Sequence, residues 1–144
     1  MRLRLLALLL LASCARSEDL LVTEPPEVWV LPDVDSVRRD PGTGTAQVGL
    51  RVVNERPYTV YVAACGDHPS VAVERRVGDG WENAGAGICP AVYSMVPIAV
   101  AGQSARQFTV AVREAGRYRV VAQLSVAADQ SGFRAVPSGE FGVE

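Results

Sequence analysis

Any chemistry in this 144-residue chain must be built on few reactive side chains, because it carries three cysteines and one histidine. Two of those cysteines and the histidine fall in one constellation, Cys65-Gly66-Asp67-His68 followed by Cys89. Two thiolates, an imidazole and a carboxylate are a credible donor set for zinc or copper, and a Cys-x-x-His spacing can close in a turn. The same thiols can instead join as a disulfide, with His68 an ordinary turn residue ahead of Pro69. The chain offers no second close-spaced ligand pair, so the redox compartment decides, and export favours the disulfide. A Cys65–Cys89 bridge closes a loop of about 25 residues and stabilises the fold by roughly 3.5 kcal/mol in the chain-entropy picture.

Nucleophilic catalysis is poorly provided for. A Ser or Cys nucleophile needs a base, and His68 is the one imidazole available. No Gly-x-Ser-x-Gly elbow accompanies it. Pro41-Gly42-Thr43-Gly44-Thr45 is glycine-rich but lacks the Lys of a phosphate loop, and Asp33, Asp35 and Asp40 are spaced too loosely for a calcium loop. The expectation is a protein that is not an enzyme and has no cofactor and no resident metal. Two aromatics stand out as candidate partner contacts. Trp81 follows a Gly-Asp-Gly turn, and Tyr93 lies in the Ala- and Gly-rich stretch 83–96 that Cys89 would pin. Trp81 reads first as a cover over the disulfide or core, with the partner contact as its alternative, and Trp29, within the apolar stretch 28–31, reads as core.

The elements that must position these residues are strands. Val48, Leu50 and Val52 alternate with Gln47, Gly49 and Arg51, and Tyr118, Val120, Ala122, Leu124 and Val126 alternate with Arg119, Val121, Gln123 and Ser125. That period of two marks half-buried strands. Further strands are expected over 58–64, 71–76, 96–100 and 106–112, with turns at 54–57, 78–80 and 101–103. The segments 20–22 and 28–31, split by Pro25-Pro26, read as a broken edge strand. Residues 33–45 read as a loop with one helical turn, and 133–136 with 140–143 as a closing hairpin or edge strand. No stretch sustains a helical period, so the expectation is an all-β sandwich of about seven to nine antiparallel strands.

The N-terminus speaks to location. Arg2 and Arg4 precede an apolar run of Leu and Ala over 5–12, the layout of a secretory signal and far short of the roughly 20 residues that span a bilayer. Leu11-Ala12-Ser13-Cys14 resembles the lipobox of bacterial lipoproteins. The resemblance implies a signal peptide over 1–13, a lipid-bearing Cys14, a short tether over 14–19 and a domain over 20–144. It further implies anchoring in the cell envelope, and Ala15 is similar to residues that permit sorting to the periplasmic face of an outer membrane where the host has one. Diacylglycerol with a further acyl chain such as palmitate gives firm attachment, at about 0.8 kcal/mol per buried methylene. The full chain holds 14 basic and 16 acidic residues, a formal charge of -2. Loss of Arg2 and Arg4 takes this to about -4, a poor match for nucleic acid.

Glu114, Gly116, Tyr118 and Val120 at alternate positions resemble the strand-F corner of immunoglobulin-like domains. The resemblance, which covers roughly 46–126, implies that the Tyr118 hydroxyl bonds back to the backbone and that Val120 replaces the cysteine of antibody domains. The sequence therefore predicts a lipid-anchored, non-catalytic binding or structural module of the envelope. Its rivals are a proteinase inhibitor of similar fold presenting 78–96, and a periplasmic metal carrier using Cys65, His68 and Cys89.

Overall fold

The computed structural model describes residues 27–86, 96–129 and 131–144. Cys14, Cys89, Tyr93 and the apolar segment 20–22 lie outside the described residues. Within them the chain forms β1 (Val28–Pro32), β2 (Ser36–Val37), β3 (Ala46–Asn54), β4 (Val60–Val62), β5 (Ala64–Cys65), β6 (His68–Pro69), β7 (Val71–Val77), β8 (Gly80–Ala86), β9 (Ile98–Val100), β10 (Ser104–Val112), β11 (Gly116–Ser125), β12 (Arg134–Pro137) and β13 (Phe141–Val143). There is no helix among them. The architecture is a two-layer β-sandwich. Its first sheet has the order β1-β3-β10, and its second is built around β11, with β13 and β12 on one side and β7 and β4 on the other. Every pairing is antiparallel except β2 with β13, which places Ser36 and Val37 beside Gly142 and Val143.

The alternation in the sequence becomes the core directly. Ala46, Val48, Leu50 and Val52 of β3 face Tyr118, Val120, Ala122 and Leu124 of β11, and all eight are buried. Val28, Val30, Val60, Val62, Ile98 and Val100 fill one end of the sandwich. Val110, Val112, Phe141 and Val143 fill the other. Fully burying one such aliphatic side chain is worth about 1.5–3 kcal/mol, so this interior drives the folding.

Thirteen strand segments exceed the seven to nine expected, because two long strands are interrupted. The neighbour of β11 on one side is split into β4 and β7 by an excursion over 63–70. Ala63 N–H to the Gln123 carbonyl (2.9 Å) and Ser70 N–H to the Ala63 carbonyl (2.7 Å) close its base. On the other side a single strand is divided into β12 and β13 at Ser138. There the Ser138 amide donates to the Val120 carbonyl (2.7 Å), and the Ser138 hydroxyl accepts from the Val120 amide (2.9 Å). One side chain thus completes the β11 ladder where the backbone kinks away.

Several local expectations change. The stretch 33–45 is not all loop, since β2 lies in it. The turn within it is fixed by Asp40, whose carboxylate accepts the Gly42 and Thr43 amides at 2.9 and 2.8 Å. Asn54 is not a turn residue but the fully buried last residue of β3. Trp29 is not core. It stands 37% exposed on the outer face of the first sheet, opposite Val53, with its indole N–H directed to Glu55 at 3.4 Å.

Candidate functional site

Cys65 and His68 sit directly opposite one another at the tip of the 63–70 excursion, as the last pair of the β5–β6 hairpin. Gly66 holds the first turn position with φ 61°, the left-handed conformation that a two-residue hairpin turn demands and that glycine adopts without strain. Cys65 is half-buried while Asp67 and His68 are exposed. Among the described residues no group of three or more His, Cys, Asp or Glu is placed to hold a metal ion. The third member of the constellation, Cys89, lies outside them.

Trp81 is the second residue of β8, opposite Arg76 of β7. It lies on the outer face of the second sheet, clear of both core clusters. The Arg119 guanidinium sits over its ring at 4.5 Å and that of Arg76 at 5.5 Å. Arg119 in turn pairs with Glu74 at 2.6 Å, while Glu140 joins Arg76 at 2.9 Å and Arg117 at 3.3 Å. The ring is thus held in a charged lattice rather than over the hydrophobic interior.

Tyr118 lies near the start of β11, where the chain turns in from Glu114. Its hydroxyl donates to the Glu114 carbonyl at 3.0 Å, and its ring, 1% exposed, stacks on Phe141 with centroids 6.1 Å apart. Burial pushes the phenol above its ordinary value, with Arg75 pulling it down, Glu114 raising it further and Arg39 opposing.

A concave surface emerges beside this corner that no short sequence motif announced. The second sheet continues past β7 to β8, whereas the first sheet stops at β10, so the β7–β8 hairpin overhangs the β10 edge. Between them lies an open groove of about 810 Å³. Val71, Val73 and Val77 line one wall, Val110 and Val112 the other, with Tyr118 at the base. Val77 is 48% exposed, high for an apolar residue on the face that β7 turns inward. The rim carries both signs of charge. Arg75 pairs with Glu114 at 2.6 Å, and Glu82 and Arg113 complete the lining. Residues 83–86, expected as the start of a loop, belong to β8 and form part of this hairpin. The signal available in sequence was weak: Val71, Val73 and Val77 share one face of β7, interrupted by Arg75.

The fold and its groove define the class of molecule as an all-β sandwich that is open beside β10 among the described residues. No family model matches the chain, and no curated protein matches it. Among solved structures it is similar to a Pseudomonas fluorescens alkylpurine DNA glycosylase, AlkC, bound to DNA containing an abasic site analog, with a TM-score of 0.38 and 10% identity. The match covers 82% of this chain and 30% of that one, so the chain spans under a third of that protein's length. A likeness this low bears on neither fold nor function.

Proposed function

We propose that this chain is a non-catalytic binding module of the cell envelope, anchored to a membrane through lipid on Cys14 and stapled by a Cys65–Cys89 disulfide. The observation that carries the reading is the groove between β10 and the β7–β8 hairpin, a concavity walled by valines with a charged rim. The lipobox at 11–14 supports the anchor, and the short tether expected over 14–19 would hold the domain near the bilayer.

The topology supports the staple. The segment bearing Cys89 joins Ala86, paired with Ala72, to Ile98, paired with Val62. Ala72 and Val62 flank the excursion whose tip carries Cys65. Intact mass with and without reduction and alkylation, together with metal content on the same sample, tests the staple. A mass two protons light without metal supports it, whereas free thiols with near-stoichiometric zinc or copper make Cys65, His68 and Cys89 a metal site instead. Palmitate labelling that disappears in Cys14→Ser supports the anchor, and labelling that persists in the variant refutes it.

A further inference from the structure

The strand at the edge of the groove identifies what kind of partner fits it. Among the described residues β10 pairs with β3 alone. Backbone polarity along β10 follows from β3. The Gly49 carbonyl and the Glu55 amide point toward the β1 side, to Asp33 and Glu27, so even-numbered residues of β3 turn their backbone groups to β10. Their partners, Arg106, Phe108, Val110 and Val112, therefore spend their amides and carbonyls on β3. Gln107, Thr109 and Ala111 turn theirs outward along the free edge, which runs into the groove at Ala111. Such a row of alternating donors and acceptors is a template for another strand.

We propose, building on the binding-module reading, that the groove takes one extended polypeptide segment of a partner protein, which adds to β10 as a fourth strand of the first sheet. Its backbone pairs with Gln107, Thr109 and Ala111. Its alternate side chains, small or medium and apolar, pack between Val73 and Val77 on one wall and Val110 and Val112 on the other. Proline is excluded wherever an amide must reach β10. The opening is limited at both ends. Arg106 occupies an inward-facing position and donates to the Ala99 carbonyl at 3.3 Å, and Arg39 takes the Arg113 carbonyl at 3.3 Å. About five residues of partner, roughly 17 Å of extended chain, span what remains.

A second copy of this chain does not fit the same edge. A two-fold axis pairing β10 with β10 of another copy, with both cores kept on one side, carries that copy's β8 over this copy's β10. That layer is already occupied by this copy's own β7–β8 hairpin, which forms the far wall of the groove. The overhang admits a single strand without a second layer of its own.

The test uses the full-length chain in mild detergent and a displayed library of twelve-residue peptides as the probe. Amide hydrogen exchange is measured before and after binding of the enriched peptide. Before binding, Gln107, Thr109 and Ala111 exchange rapidly while Arg106, Phe108 and Val110 are protected. Enriched peptides alternate apolar residues and lack internal proline, and their binding slows exchange at the three outward amides at least tenfold. N-methylation of the peptide amides that face β10 weakens binding at least tenfold. Thr109→Pro removes one outward amide and weakens binding likewise, and the N-methylated peptide gives the same readout should that variant unfold.

Three results overturn the proposal: the outward amides already protected in the free chain, binders that protect other amides and tolerate N-methylation, or no enrichment. The second of these sinks the strand-addition site while leaving a binding module intact.

Discussion

Replacing Asn54 by Leu should be among the most damaging single changes in the molecule, although the residue is polar and lies at a strand end. Asn54 is fully buried. Its amide nitrogen donates to the carbonyls of Tyr58 at 2.8 Å, Val100 at 3.1 Å and Ala101 at 3.0 Å. Its oxygen accepts from the Arg56 amide at 3.1 Å. One side chain therefore ties the end of β3 to the start of β4 and to the β9–β10 turn. Leucine is similar in volume but leaves three carbonyls and one amide without that partner, in a place water reaches poorly. Each buried group stranded in this way costs about 1–3 kcal/mol, and partial relaxation of the two turns brings the total to about 3–5 kcal/mol. That is a large share of a typical domain's net stability and should lower the Tm by on the order of 10–20 °C. Asn54→Asp gives a second readout. A carboxylate would face three carbonyl oxygens, so its folded pKa is raised above the ordinary value of about 3.9. The sign follows by linkage: the variant is least impaired at acid pH, where the carboxyl is protonated and can donate, and loses stability as pH rises through the folded pKa. Urea melts of wild type and both variants at pH 4 and pH 7 measure this. A Leu variant within about 1 kcal/mol of wild type, or an Asp variant equally impaired at both pH values, refutes the claim that these bonds hold the junction.

Tyr118→Phe removes the hydroxyl bond to Glu114 and should cost about 1 kcal/mol at pH 7. Because burial raises the Tyr118 pKa above 10.0, its contribution is complete below that value and falls as pH climbs through the folded pKa. The gap between wild type and variant in denaturant midpoints should therefore narrow above pH 10, and a gap that stays constant there counts against the assignment. Arg119→Gln and Trp81→Leu should couple by about 0.5–1 kcal/mol in a double-mutant cycle, given the 4.5 Å approach of guanidinium to ring; strictly additive effects would show the contact to be energetically idle. Gly102→Ala should destabilise by about 1–3 kcal/mol, because a Cβ there would lie 2.5 Å from the Pro57 carbonyl carbon and oxygen. A melting temperature unchanged from wild type would mean the two turns can part without cost.

The strands that carry the core were legible because burial on one face leaves a local trace. Each of the alternating residues in β3 and β11 sees the same interior, so the period of two survives in the sequence. The Tyr118 corner was legible for a related reason, since its hydroxyl reaches a carbonyl only four residues away. What escaped the sequence depends on distant neighbours. Nothing near Ser138 shows that it completes a ladder at Val120, and nothing near Asn54 shows that carbonyls at Val100 and Ala101 wait for its amide. Trp29 looks like core because its neighbours Val28 and Val30 are core. Alternation in fact places it on the opposite face, where Glu55 receives its indole N–H. Trp81 likewise takes its surroundings from Arg119, 38 positions further on.

The groove is illegible for the same reason in its strongest form. A strand's edge is defined by what fails to pair with it, and that is a property of the sheet rather than of the strand. The residues of β10 read as an ordinary half-buried strand, and those of β7 likewise. Only the mismatch in width between the two sheets leaves Val77 half exposed above an edge that no described residue pairs. Arg106 is the one residue whose chemistry hints at the arrangement. An inward-facing charge is a usual device for guarding an exposed edge, and here it guards one end through its bond to Ala99. Beyond it the edge runs from Gln107 to Ala111 toward the groove that Val110, Ala111 and Val112 line, where the proposed strand would lie. Discrimination between a strand and a whole domain at this edge is then set by the overhang of β8, so shortening the β7–β8 hairpin should broaden what the edge accepts.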